Sequence, residues 1–344
     1  MIKASIIGCT GYAGEELTRI LTGHKDVELT HLVSKSFAGK KLSEVYGNYF
    51  GSHDKMLETL DIEAVCKDSD VVFTALPHGA SAETIAELAK HDVKIIDLSG
   101  DFRYDDIDVY EKWYRVSHPA KELNARAVYG LTELYRDRIK DTKIVANPGC
   151  YTTCAILSVL PLLKAGIIDS KGIIVDAKSG ISGGGRRESL ALSFCETNES
   201  FKAYNVAGHR HTSEIEQELS KAQGEDVIIG FTPHLLPIKR GILETIYCRL
   251  ADGVTKEAIA EAYQVYASEK YVHVLNNGLP EIKHVSGSNN VIIGYQMDER
   301  NGRLIIVSVI DNLIKGAAGQ AVQNMNVMFG LPEGEGLSDT GLYL

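Results

Sequence analysis

The pattern of apolar and polar positions changes character once along this chain. Through the first half, short apolar runs alternate with segments whose apolar residues recur at helical spacing, as a parallel sheet with crossover helices requires. This predicts strands over 4–8, 28–33, 71–75, 94–98 and 143–146, and amphipathic helices over 13–22 and 81–90. Between 101 and 138 the pattern loosens into a charged, tyrosine-rich stretch with the only tryptophan, Trp113, which reads as loops and short helices around a site. Beyond 150 the apolar runs lengthen. Those at 172–177, 227–231, 243–250, 291–297 and 303–309 read as strands of a mixed or antiparallel sheet, with helices over 213–223 and 256–268 covering one face. A last helix, apolar on one side, is predicted over 316–328. The fold class is α/β, with one domain over 1–148, completed by the C-terminal segment 313–344, and a second over 149–312.

Composition narrows the classes. With 344 residues, 44% hydrophobic and 24% charged, the chain is long enough for two ordinary globular cores. A net charge of −10 argues against nucleic acid as a partner. Any anionic ligand must therefore be held by local Arg, Lys, His or backbone N–H groups. Residues 144–163 carry no charge, yet they include Asn147-Pro148-Gly149 and a run of Thr and Cys, so they read as strand, turn and buried helix rather than a membrane span. The start, Met1-Ile2-Lys3, runs straight into a strand without an export signal. Six cysteines without a Cys-x-x-Cys pair indicate reduced thiols, a cytoplasmic location and no metal.

Gly8-Cys9-Thr10-Gly11-Tyr12-Ala13-Gly14 follows the first strand and opens the first helix. Glycines there let the backbone turn sharply and bring helix N–H groups against a pyrophosphate. At the end of the second strand an NAD site usually places an acidic residue for the ribose 2′-hydroxyl. This chain has Val33-Ser34-Lys35-Ser36 instead, which suits a 2′-phosphate and makes NADP the expected cofactor. Ala75-Leu76-Pro77-His78 ends the next strand, at the edge where the nicotinamide end belongs.

Asn147-Pro148-Gly149-Cys150 joins a strand to a buried helix. A thiol at a helix N-terminus meets the positive end of the dipole and gains thiolate character. Cys154, one turn on, reads as core. A thiolate beside a nicotinamide implies attack on a carbonyl, hydride exchange at the thioacyl carbon and a base for the protons. Candidates for that base lie in Gly208-His209-Arg210-His211-Thr212-Ser213-Glu214. A second glycine-rich loop, Ser179–Arg187, carries Ser182, Arg186 and Arg187. It reads as an anion site, with a flexible hairpin as the alternative.

In this order these motifs resemble the N-acetyl-gamma-glutamyl-phosphate reductase family over essentially the whole length. The resemblance is carried further by Asp97–Arg103, Tyr129–Glu133 and Asp311–Asn326. It implies a Rossmann-type NADP-binding domain and an α+β domain like that of glyceraldehyde-3-phosphate dehydrogenase, in a homo-oligomer. It also implies Cys150 as nucleophile and His211 as its acid/base partner. Arg103, Ser182, Arg186, His209, Arg210 and Glu214 are then the substrate-side candidates, with Asn312, Lys315 and Gly316 near the nicotinamide. Thr132 and Ser213 stand where that family is expected to have proline. The implied reaction is NADPH-dependent reduction of N-acetyl-L-glutamyl 5-phosphate to the semialdehyde. The alternatives are aspartate-semialdehyde dehydrogenase chemistry and a non-catalytic NADPH-binding sensor.

Overall fold

The computed structural model describes residues 1–343. The chain divides into two units, Met1–Pro148 with Ala317–Leu337, and Gly149–Gly316 with the segment from Ser338 onward.

In the first unit, β1 (Ile2–Ile7), β2 (Val27–Val33), β3 (Val71–Thr74), β4 (Lys94–Asp97), β5 (Ala127–Tyr129) and β6 (Ile144–Ala146) form an all-parallel sheet. Their order is β2-β1-β3-β4-β6-β5. Val71, Val72 and Phe73 are completely buried, as a central parallel strand covered on both faces must be. The helix Tyr12–Thr22 follows β1, and the helix Ala80–Leu88 follows β3. Asp101 holds the start of the latter by accepting the N–H groups of Gly79 and Ala82 at 2.8 and 3.0 Å. The stretch beyond Asp101 contains the helices Ile107–Tyr114 and Thr132–Asp141, and also β5, too short at three residues to show an alternation in sequence.

The final helix, Gly319–Met328, is buried at every position although four of its side chains are amides. Hydrogen bonds make that burial tolerable, because an unpartnered buried amide is costly. Asn324 donates to Gly130 O and Asn147 Oδ1, and Asn326 donates to the carbonyls of Glu333 and Glu335. Thr132, where the resemblance leads one to expect proline, uses its hydroxyl in this network: it donates to Asn324 Oδ1 at 2.7 Å and accepts from Gln320. The helix starts later than predicted. Residues Ile314–Ala318 form a π-turn closed by Gly316 N–H donating to Asp311 O at 3.0 Å.

In the second unit, β7 (Ile173–Gly180), β8 (Lys202–Ala203), β9 (Ile229–Leu236), β10 (Ile242–Arg249), β11 (Val272–Val274), β12 (Val291–Asp298) and β13 (Arg303–Ile310) form a mixed sheet. The order is β11-β12-β13-β10-β7-β9-β8. Alternate residues of β10 are buried, the two-residue period of a half-covered strand. Against the sheet lies the helix Cys150–Lys164, uncharged before its last residue and fully buried from Tyr151 to Leu163. The helix His211–Gln223 packs beside it.

An acidic residue of β10 is enclosed in this core. Glu244 on β10, opposite Ser308 of β13, has no exposed surface. Burial pushes its carboxyl well above the usual carboxylate range, with the neighbouring Cys154 and Lys178 opposing the shift. Folding therefore takes up a proton here. The contribution is fully present below the unfolded carboxyl pKa and is lost as pH rises toward the folded value. Glu244→Gln is expected to flatten the decline of Tm as pH rises through the range above the unfolded carboxyl pKa. A variant whose Tm tracks the wild-type profile in that range would show that the carboxyl is ionised in the fold.

Candidate active site

In the second unit, Cys150 is the first residue of its helix, with Gly149 as the cap residue and no capping side chain. The thiol side is half-buried, whereas Cys154 is enclosed and its Sγ lies 3.1 Å from Ser308 Oγ. Gly316 sits directly against the cysteine. A Cβ placed on it would lie 2.7 Å from Cys150 Cβ, so the close approach requires glycine. Beneath the helix start, Glu214 Oε1 accepts from Gly149 N at 2.9 Å and from Thr152 Oγ1 at 3.0 Å. Glu214 is completely buried, and its carboxylate braces the turn that presents Cys150.

The two histidines meet. Their rings are 4.7 Å apart, nearly perpendicular, and His211 N–H donates to His209 Nδ1 at 3.1 Å. Both pack edge-on against Tyr151, the residue after the cysteine, at 5.7 and 5.8 Å. Burial, reinforced by the Arg210 guanidinium, lowers the His209 pKa to about 4, so this imidazole is neutral at ordinary pH. His211 is half-exposed at the start of its helix. Tyr204, which no sequence motif marks, donates to Tyr151 Oη at 3.2 Å and packs against His209. Ser213, the other position expected to be proline, donates its hydroxyl to Arg210 O.

The second glycine loop lies along residues 238–241. Gly180 N, Ile181 N and Ser182 N donate to the carbonyls of Gly241, Ile238 and Lys239. Asn312 ties the two together: its Nδ2 donates to Ser182 Oγ at 3.0 Å and its Oδ1 accepts from Gly241 N at 2.7 Å. Asn312 thus joins the two loops, four residues ahead of Gly316. Arg186 and Arg210 are exposed residues. Lys315 is buried, its ammonium 5.9 Å from the Tyr271 ring centre.

The first unit holds the other predicted residues. Gly8 has φ +92°, and a Cβ there would lie 2.4 Å from Ala75 O; a Cβ on Gly14 would lie 2.3 Å from Gly8 O. The helix that begins at Tyr12 has Gly11 as an uncapped N-cap, and Ala13 sits half-buried in its first turn. This geometry fits a dinucleotide pyrophosphate, since backbone N–H groups rather than side chains front the turn. Thr10 and Ser34 share a hydroxyl contact of 2.7 Å that joins the loop to the end of β2, while Lys35 and Ser36 are exposed beyond it. Pro77 is exposed past β3. Arg103 is buried, and its guanidinium donates to Asn147 O at 2.7 Å and Leu98 O at 3.0 Å, anchoring the strand end that leads to Pro148.

Among the described residues no helix is long and apolar enough to cross a membrane. Residues 3–142 match the semialdehyde dehydrogenase NAD-binding domain, and residues 150–312 match the semialdehyde dehydrogenase dimerisation domain. The chain belongs to the semialdehyde dehydrogenase family. Within it, the N-acetyl-gamma-glutamyl-phosphate reductase of Pelotomaculum thermopropionicum is 53% identical, over 99% of both chains. That of Acetivibrio thermocellus is 49% identical over 100% of both. Among solved structures, aspartate semialdehyde dehydrogenase II from Vibrio cholerae superposes with a TM-score of 0.72 at 17% identity, covering 96% of this chain and 99% of that one. The Candida albicans aspartate semialdehyde dehydrogenase, solved with NADP, gives 0.67 at 18% identity, covering 96% and 98%. At such identities the structural likeness speaks for the fold alone.

Proposed function

We propose that this chain reduces N-acetyl-L-glutamyl 5-phosphate to N-acetyl-L-glutamate 5-semialdehyde with release of phosphate, as an N-acetyl-gamma-glutamyl-phosphate reductase. The observation that carries the chemistry is a half-buried cysteine opening a buried helix, with a histidine pair packed on the next residue. The full-length identity to the reductases supports this substrate over aspartyl phosphate. A nucleophile, histidines and an anion loop gathered in one unit favour an enzyme over a sensor.

Cys150, its proton passed to His211, attacks the acyl carbon. The carbon–oxygen bond to phosphate breaks, phosphate leaves with the electron pair, and a thioester remains on Cys150. NADPH, when bound, supplies the hydride that reduces the thioester carbon. The sulfur is then expelled as the carbonyl of the aldehyde forms, and His211 returns the proton to it. His209, neutral and buried, accepts the backbone N–H of His211 on its Nδ1 and so fixes the start of the helix that carries His211. The cofactor is held by the Gly8–Gly14 turn, with Lys35 reading the 2′-phosphate. The assembly is a homo-oligomer through the 150–312 domain, and the location is cytoplasmic.

The deciding assay runs the reaction in reverse, with semialdehyde, phosphate and NADP, following NADPH by absorbance. Turnover with aspartate semialdehyde but not the N-acetyl substrate, or with neither, overturns the reading. A second expectation concerns the cofactor. Lys35→Ala should raise KM for NADPH by about tenfold, the low end of a charge-assisted bond because the ammonium is exposed, with kcat nearly unchanged. Ser34→Asp should move preference toward NADH. Ratios of kcat/KM for NADPH and NADH that stay put in both variants would mean the end of β2 does not read the 2′-position.

A further inference from the structure

In the first unit, residues 34–58 leave the end of β2 and return to it. Ser34 N donates to Glu58 O and Glu58 N to Leu32 O, both at 2.9 Å. The excursion is closed on itself: Gly39 N donates to Leu57 O, Leu57 N to Lys40 O and Leu42 N to Lys55 O. Leu42, which opens the short helix Leu42–Val45, is completely buried. Long, largely irregular connections in compact domains usually carry function. This one sets two tyrosines against the dinucleotide turn. Tyr46 Oη donates to Thr10 O at 3.0 Å. Tyr49 is buried, and its hydroxyl lies 3.2 Å from both the carbonyl oxygen and Oε1 of Glu15, in the first turn of the helix Tyr12–Thr22. Asn48 Nδ2 donates to the same Oε1 at 3.3 Å.

We infer that Tyr46 and Tyr49 are positioning residues for the cofactor, holding the Gly8–Gly14 turn and the helix start behind it in the shape that receives the pyrophosphate. The inference rests on the reading that this turn binds NADPH. Thr10 and Gly11 share one peptide plane, and a trans peptide places its C=O and N–H on opposite sides. Both ends of that plane are held: Tyr46 binds the carbonyl, and Gly11 N–H donates to Gly8 O at 3.2 Å. Glycine is conformationally permissive, so a turn built on three of them gains its shape from such outside contacts. Gly11 O accepts from Glu15 N at 2.8 Å, and Glu15 is the residue that Asn48 and Tyr49 grip. A turn formed in advance spares the binding step the entropy of ordering it. The pyrophosphate is common to NADPH and NADH, so a brace on this turn acts on both alike. The opposing reading is that the tyrosines only fold the excursion, and their loss is then felt in Tm and not in cofactor affinity.

The variants are Tyr46→Phe, Tyr49→Phe and the two combined, which keep the rings and lose only the hydroxyls. Affinities for NADPH and NADH are read by fluorescence titration, beside KM and kcat with NADPH, and Tm. Each single variant should weaken both cofactors by the same factor, about 2- to 10-fold as for one neutral hydrogen bond. KM for NADPH should rise to match, with kcat at saturation unchanged. The combined variant should weaken both cofactors more than either change alone; if it does not fold, the single variants decide. Weakening confined to NADPH overturns the inference, because the brace would then act on the 2′-position. Affinities that hold for both cofactors also overturn it, whatever happens to Tm. Wild-type protein that binds neither cofactor would instead overturn the functional reading.

Discussion

Cys150→Ser is expected to abolish turnover while leaving NADPH binding nearly intact. The hydroxyl is close in size to the thiol, so the half-buried site and the close contact with Gly316 should be kept. What disappears is the nucleophile: at neutral pH a thiol supplies a usable thiolate, and serine does not supply the corresponding anion. Deleting the nucleophile of a covalent mechanism costs on the order of 10⁶ in kcat when the other groups remain. The residues proposed to hold the cofactor, Gly8 to Gly14 with Lys35, belong to the first unit and are untouched. Stopped-flow phosphate release and NADPH fluorescence titration measure the two halves of this expectation. Activity within a few-fold of wild type would remove Cys150 from the mechanism. Cys154→Ser is the control, since its enclosed thiol faces Ser308 and its loss should be felt in Tm rather than in rate.

His211→Asn should slow the reaction by about 10²–10⁴, the range for one general acid/base, and change the shape of the pH–rate profile. The neighbouring histidine is the informative comparison. With its pKa lowered to about 4 by burial and Arg210, His209 is not an imidazolium at neutral pH and so is no general acid there. Protonating it costs stability instead. A folded pKa below the unfolded value means that its contribution is present above the unfolded pKa near 6.5 and is lost as pH falls toward 4. His209→Asn should therefore soften acid unfolding and lower kcat less than His211→Asn does. If His209→Asn gives the larger fall in kcat, the two roles are reversed.

Much of the parallel half was legible because its strands are short, apolar and framed by glycine and polar turns. The strand predicted over 71–75 is Val71–Thr74, and that over 94–98 is Lys94–Asp97. In the second half the predicted 172–177 and 227–231 are only the first parts of β7 and β9. Those strands run on through Lys178-Ser179-Gly180 and Pro233-His234, residues that look like loop and are held in place by the pairing of the two strands with each other. The site divides in the same way. Cys150 and the two histidines stand out because a turn, a helix start and a His-x-His spacing are local features. The placement of Glu214 under Gly149 and of Arg240 on Asp311 depends on partners 65 and 71 residues away, which no local pattern encodes.

The buried amides of the final helix bear on the order in which the molecule can be completed. Asn324 closes on Gly130 and Asn147, which precede it by 194 and 177 residues, and Asn326 on His24, 302 residues earlier. During synthesis the first 148 residues leave the ribosome with a slot open where that helix belongs, its polar lining unsatisfied. Residues 149–316 emerge next and contain their own sheet and core. The unit begun first is therefore still open while the core of the second is being made, and its closure waits on a helix that emerges more than 300 residues after the chain's start.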